Sequence, residues 1–251
     1  MNIALYGPRK ARWAMTEYGE GLVSREASSF AIGNNSLRWN GDQLIVEIDE
    51  VSAPLNRHIR GRIIVDSQVR GQDTFFIDDA ERHRWRPLSP VARVRVEMDK
   101  PNISWSGDGY LDFNQGKEGL EDAFRFWDWS RAIIGREKTA ILYNTDMMNG
   151  TQCQAALLVD RTGAVADIDV PPPAPLRSTS IWQIPRRTRS DGIGSARIIK
   201  TLEDTPFYSR SIVSTRLFGE DHVAIHESLS GPRLNSPLVQ VLLPYRMPRK
   251  E

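Results

Sequence analysis

The sequence predicts a mainly β protein of two consecutive domains, each an antiparallel barrel or sandwich. Two observations predict it. Short runs of alternating apolar and polar residues recur along the chain, separated by turn formers. The length of 251 residues suits one large β domain or two small ones, and is ample for a core.

The elements follow in order. "NIALYG" opens the chain as a strand and stops at Gly7-Pro8. "SLRWNGDQLIVEID" places Asn40-Gly41-Asp42 between two strand-like runs, a strong hairpin signal. "RGRIIVD" is a further strand. "VARVRVEM" (91–98) alternates cleanly, with Ala92, Val94, Val96 and Met98 on one face and Arg93, Arg95 and Glu97 on the other. "DKPN" (99–102) turns the chain into "ISWSGDGYLDF". These pieces read as meandering antiparallel strands with one wet face.

The middle of the chain, "GKEGLEDAFRFWDWSRAII", is mixed. Glu118 to Phe126 fits one or two helical turns. "WDWSRA" alternates, with Trp127 and Trp129 on one side, and reads as a short linker feeding a new strand. The division between domains 1–122 and 123–251 is placed here. The second half continues with "TAILYNT", "TQCQAALLVD", a turn at "RTGA", and strands near 194–200, 209–218 and 222–229. "PPPAP" (171–175) suits neither a central strand nor a helix and reads as a rigid extended connection. A barrel of about eight strands can hold one apolar ligand.

Composition removes several function classes. The hydrophobic share is 40% and the charged share 26%, ordinary for a soluble globular protein. The net charge of +1 gives no field toward nucleic acid, so none is expected as a partner. Arginine is dense in "PRRTR" (185–189) and in the closing "YRMPRKE". Both are expected as solvated surface, with attraction to an anionic lipid surface, at about 1 kcal/mol per basic residue, as the sharper alternative. Cys153 is the only cysteine, which leaves neither an intramolecular disulfide nor a cysteine-based zinc site. His58, His83, His222 and His226 show no HExxH spacing, and "DHVAIHES" reads as a strand. There is no GxSxG, no GxGxxG after a strand and no P-loop, so neither metal nor nucleotide cofactor is expected. "MNIALYGPRKAR" lacks the apolar run of a signal peptide, and no stretch approaches the ~20 apolar residues of a transmembrane helix.

What remains is a set of acids and rings. "RHRW" holds His83 and Trp85 two apart, and "GYLDFN" holds Tyr110 and Asp112 at the same spacing. In a strand each pair shares a side. Trp105, Trp127 and Trp129 lie near them in sequence. In one shared cavity, poor solvation would favour the protonated form of Asp112, and an acid kept protonated is a proton donor. Desolvated aromatic faces stabilise a cation by roughly 1–2 kcal/mol each. Together these suit protonation of an alkene to a tertiary carbocation. The same residue types also serve as strand core, and an Asp beside Gly as a turn former.

The blocks "NIALYGPR", "RWAMTE", "RHRWRPLSPVARVRVEMDKP", "WSGDGYLDFNQGKEGLEDAFRFWDWSRA" and "AIHESLSGPRLNSPLVQVLLPYRMPR" resemble the carotenoid 1,2-hydratase (hydroxyneurosporene synthase) family over nearly the whole chain. The resemblance implies a hydro-lyase that adds water across the terminal C1–C2 double bond of acyclic carotenoids such as neurosporene and lycopene. No redox cofactor is used, and the product is a tertiary alcohol. It implies a pair of lipocalin-like β domains, with the active site in the first. It implies His83, Trp85, Tyr110 and Asp112 as catalytic residues, with Asp112 the proton donor, and leaves Trp105, Trp127 and Trp129 as substrate-binding candidates. Because the carotenoid is far longer than a barrel, peripheral contact with a membrane surface is implied, on the cytoplasmic side of the bacterial inner or photosynthetic membrane. Members usually carry further residues before the "NIALYG" block. The same fold hosts cyclases, and a non-enzymatic carotenoid or lipid carrier is the other alternative.

Overall fold

The computed structural model describes residues 1–7, 11–67, 73–135, 137–192 and 194–251. The fold is mainly β, built almost wholly from antiparallel strands, as the alternating pattern predicts. Two compact units are present. One comprises residues 1–68, 92–110 and 240–251, the other 69–91 and 111–239. Two unit boundaries fall inside the strands His83–Lys100 and Ile103–Gly116, and another inside the helix Pro237–Arg246. Apart from Arg249–Lys250, which pairs with Glu17–Tyr18, strands up to Gly116 and strands from Phe124 onward belong to different sheets.

In the first unit, Asn2–Leu5 pairs with Arg12–Met15. Pro8, in the expected stop of the opening strand, lies outside the described residues. A meander then runs through Ser29–Ile32, Asn35–Trp39, Gln43–Val51 and His58–Asp66 to residues 92–100. The expected hairpin forms at Gly41, whose φ of +111° favours glycine. Asn40 Oδ1 closes it by accepting the backbone N–H groups of Asp42 and Gln43 at 3.1 and 2.8 Å. Ile3, Ala14, Ile48, Ile59, Val96 and Met98 form the core. Glu50 is fully buried, and accepts from Thr16 Oγ1, Tyr18 Oη and Asn35 Nδ2 at 2.7, 2.7 and 2.6 Å. Three donors make that burial tolerable. Burial and the Glu50 carboxylate together push the Tyr18 hydroxyl up to about 12. The closing basic segment is pinned in this unit. The Arg246 guanidinium lies 4.6 Å from the Trp13 ring centre, and Arg249–Lys250 pairs in parallel with Glu17–Tyr18.

The second unit is built on a seven-stranded sheet. Its strand order is Val165–Asp167, Gln152–Asp160, Lys138–Met147, Phe124–Ile134, Glu220–Ser230, Tyr208–Leu217, Arg197–Asp204. The helical turn expected in 118–126 is Leu120–Ala123. "WDWSRA" is not a linker; it lies within the central strand Phe124–Ile134, paired on both sides. One face of this sheet carries the apolar core of Ala132, Ala140, Leu142, Ala156, Val213 and Ala224. "PPPAP" is also more than a connection. Pro173–Leu176 pairs with Arg186–Arg189, and alternation turns Ala174 and Leu176 inward.

The "PRRTR" segment is therefore internal, not solvated surface. Arg186 is 6% exposed and donates to the Arg177 and Ser178 carbonyls and to the Thr201 and Ser211 hydroxyls. Arg187 meets Asp128 at 2.8 Å and Asp146 at 2.9 Å, while Arg189 donates to Asn144 Oδ1 at 2.8 Å. Buried charge persists here because each guanidinium finds partners. Burial pushes Asp128 up to about 6 against the pull of Arg187. The helix Pro237–Arg246 was not expected; Pro237 suits its first position, where no N–H is required. No helix among the described residues is long and apolar enough to cross a membrane.

Candidate active site

Strand pleating places the first of the singled-out residues. At the start of His83–Lys100, His83 and Trp85 turn inward and Arg84 turns outward, donating to Gln115 Oε1 at 2.7 Å. Trp85 is 0% exposed. Its ring centre lies 5.5 Å from Phe75 and 5.4 Å from Tyr143, and Tyr143 lies 5.9 Å from Trp127. The Trp85 Nε1–H donates to Asp112 Oδ2 at 2.9 Å. Asp112 is half-buried on the strand Ile103–Gly116. An acid thus stands at the edge of an aromatic cluster, oriented by an indole N–H.

His83 is buried two residues away and has its own partner. Its Nδ1 lies 3.1 Å from Asp78 Oδ2, and its ring meets Phe124 edge-on at 4.7 Å. Burial pushes the Asp78 carboxyl up, but the His83 and Arg82 N–H groups and the His83 ring together hold it below the usual range. Among the described residues His83 Nε2 has no hydrogen-bond partner. It faces Gly116, where an added Cβ would come within 2.6 Å of His83 Cδ2 and 2.9 Å of Nε2. Glycine is what lets the Asp112 strand pass so close to the ring.

Sheet register extends the cluster. Tyr143, Trp129, Glu227 and Arg210 stand directly opposite one another on four neighbouring strands, and so share a face. Asp128, between Trp127 and Trp129, points to the other side. Arg210 closes on Glu227 through Nε and Nη2 at 2.9 and 2.8 Å, and reaches Glu203 at 3.8 Å. Burial raises Glu227 above the usual carboxylate range, Arg210 resists, and the Asp112 charge adds to the rise. Burial, then the charges of Asp112 and Glu227, hold the Tyr143 hydroxyl far above the ordinary phenol range. Tyr143 is therefore a neutral hydroxyl in this setting.

The second unit thus assembles Trp85, Asp112 and Trp127 around Tyr143, with Trp129 beside them in register. His83 adjoins this group along its strand. Tyr110 is half-buried two residues before Asp112, and Trp105 is 49% exposed; both belong to the first unit. Tyr143, Glu227 and Arg210 were missed in sequence. Tyr143 stood in the strand "TAILYNT" with no acid or ring two residues to either side, and Glu227 beside His226, which alternation sends to the opposite face. Among the described residues no three His, Cys, Asp or Glu side chains converge as a metal site. A separate cavity of about 270 Å³ on the Asp128 side is lined by polar groups including Asn144, Asp146, Arg187 and Arg189, walls that suit water better than a hydrocarbon.

The family described as carotenoid hydratase CrtC matches residues 1–251. The acyclic carotenoid 1,2-hydratase of Thiocapsa roseopersicina is 45% identical over 99% of this chain, and that of Rubrivivax gelatinosus 40% identical over 100%. The chain spans 61% of the length of each. The acyclic carotenoid 1,2-hydratase of Cereibacter sphaeroides is 34% identical over 100% of this chain and 88% of its own length. A solved Nitrosomonas europaea structure described as AttH aligns with a TM-score of 0.56 at 13% identity, covering 84% of this chain and 72% of that one. That likeness concerns the fold alone, which is lipocalin-like.

Proposed function

The chain belongs to the carotenoid hydratase CrtC family, and from that premise we propose that it serves to add water across the terminal C1–C2 double bond of an acyclic carotenoid. The observation that carries the reading is the Trp85 N–H bond to Asp112 within the aromatic cluster. Asp112 gives its proton to C2. The π electrons form the new C–H bond, leaving a tertiary cation at C1 and a carboxylate on Asp112. Trp127 offers an aromatic face to that cation, good for roughly 1–2 kcal/mol when water is excluded. Tyr110 keeps its assignment as a catalytic residue on the family's Tyr-x-Asp pattern, which Tyr110 and Asp112 match. Water adds at C1, and loss of one proton from it gives the tertiary alcohol.

His83, held by Asp78, fixes the start of the strand that carries Trp85. The steps call for acid, base and water, and for neither metal nor nucleotide. Only the end of the polyene need enter. The remainder stays in the membrane, which supports peripheral contact with its cytoplasmic surface.

Incubation with lycopene or neurosporene in ¹⁸O-water, followed by mass spectrometry of the pigments, tests the reading. One ¹⁸O in a tertiary alcohol is expected. A cyclised product without ¹⁸O would make the protein a cyclase, and stoichiometric binding without turnover would make it a carrier.

A further inference from the structure

Hydration of an alkene needs two proton transfers, one to carbon and one from the attacking water. Resting on the hydration reading above, we propose that Glu227 takes the proton from the water, with Arg210 as its positioning residue. The register row Tyr143–Trp129–Glu227–Arg210 places this carboxylate on the same sheet face as the rings. Two carboxylates that feel each other's charge favour a state with one proton between them. Two guanidinium N–H groups converge on Glu227 Oε1, so Glu227 is the member that stays ionised. The one proton of the pair is then left to Asp112, which the Trp85 N–H orients. Different surroundings thus divide the acid from the base.

His83 is less well placed to act as the base. His83 commits Nδ1 to Asp78 and presses Nε2 against Gly116, whereas the Glu227 side chain keeps 18% of its surface accessible. The balance is simple. Asp112 loses a proton to C2, water oxygen bonds to C1, and Glu227 takes one water proton. Exchange with solvent then returns both carboxyls to their starting states.

The test runs the reaction in D₂O with wild type, Glu227→Gln and Asp112→Asn, with thermal unfolding as the folding control. Both the alcohol and the deuterium at C2 of recovered carotenoid are measured. Loss of a general base costs about 10²–10⁴-fold, so Glu227→Gln is expected to lose at least ~100-fold in alcohol. It should still wash deuterium into C2, because the cation forms and reverts. Asp112→Asn should do neither. A folded Glu227→Gln that hydrates within a few-fold of wild type would overturn the proposal, as would one that loses C2 exchange together with product. Wild type that binds the carotenoid without hydrating it would sink the hydration reading itself.

A second measurement serves if the Gln variant does not fold. Arg210→Met removes the cation that favours ionised Glu227, so the acid limb of kcat/KM should move to higher pH. An unmoved limb in that variant would overturn the proposal.

Discussion

The Trp85 indole N–H meets the Asp112 carboxyl group at 2.9 Å, while the Trp85 ring is wholly buried beside Phe75 and Tyr143. This pairing separates two tasks that a tryptophan near an acid could perform. A ring with no exposed surface is poorly placed to face a substrate cation. Its N–H can set the direction in which the acid points. In the proposed reaction Trp85 is thus a positioning residue, and the cation-facing task passes to the half-buried Trp127.

Trp85→Phe keeps a ring and removes the donor. Hydration should fall by about 10–100-fold, since a misplaced acid of this kind costs that much. Trp85→Ala should fall further, and should also lose about 3–5 kcal/mol of stability through the cavity it opens. Turnover and thermal unfolding of both variants check this. A Phe variant with full activity would show that the N–H does not position Asp112.

Gly116→Ala sets a methyl group against the His83 ring, 2.6 Å from Cδ2. Either the ring or the Asp112 strand must shift. Overpacking of this kind costs about 1–3 kcal/mol. Hydration should fall as well, because Asp112 lies four residues away on the same strand. Unchanged unfolding temperature and turnover would mean that the strand passes the ring with room to spare.

His226 supplies a pH prediction. Burial lowers it to about 4, while Nε2–H donates to the Arg187 carbonyl at 2.7 Å. Between pH 6.5 and 4 the unfolded chain takes up a proton at this histidine and the folded protein does not. Its contribution to stability is thus fully present above pH 6.5 and lost as pH falls toward 4, by about 3 kcal/mol in all. Asp128, raised to about 6, acts with the opposite sign over a similar range. His226→Gln removes the histidine part, so as pH falls from 6.5 to 4 the variant should lose less stability than wild type, or gain some where wild type gains none. Parallel urea-unfolding series at pH 4, 5, 6 and 7 would show this, and identical slopes would contradict it.

Local signals in the chain were legible. Alternation in "VARVRVEM" located a strand and its inward face, and Asn40-Gly41-Asp42 located a hairpin, because both are decided within a few residues. The inward arginines of "PRRTR" were not, because their partners are remote: Asp128 lies 59 positions from Arg187 and Asn144 lies 45 from Arg189. The candidate site divides the same way. Asp112 and Trp85 stood out by residue type and spacing. Tyr143 and Glu227 join them only through pairing across the sheet with Trp129, and nothing in the neighbourhood of either announces a register. "WDWSRA" was misread for a related reason. Its alternation was visible, but its central place depends on strands on both sides.

The central claim is that Asp112 transfers its proton to carbon. Asp112→Asn keeps the shape and removes that proton. Asp112→Glu keeps the acid but displaces it, at a cost of ~100-fold. Polyene affinity should survive both changes, because buried apolar area supplies most of it. The decisive measurement is hydrated product formed by Asp112→Asn from lycopene or neurosporene, with carotenoid binding and thermal unfolding followed in parallel. The expected result is a folded, carotenoid-binding protein whose hydration falls to background, with Asp112→Glu in between. An Asp112→Asn protein that folds, binds and hydrates near the wild-type rate would contradict the account.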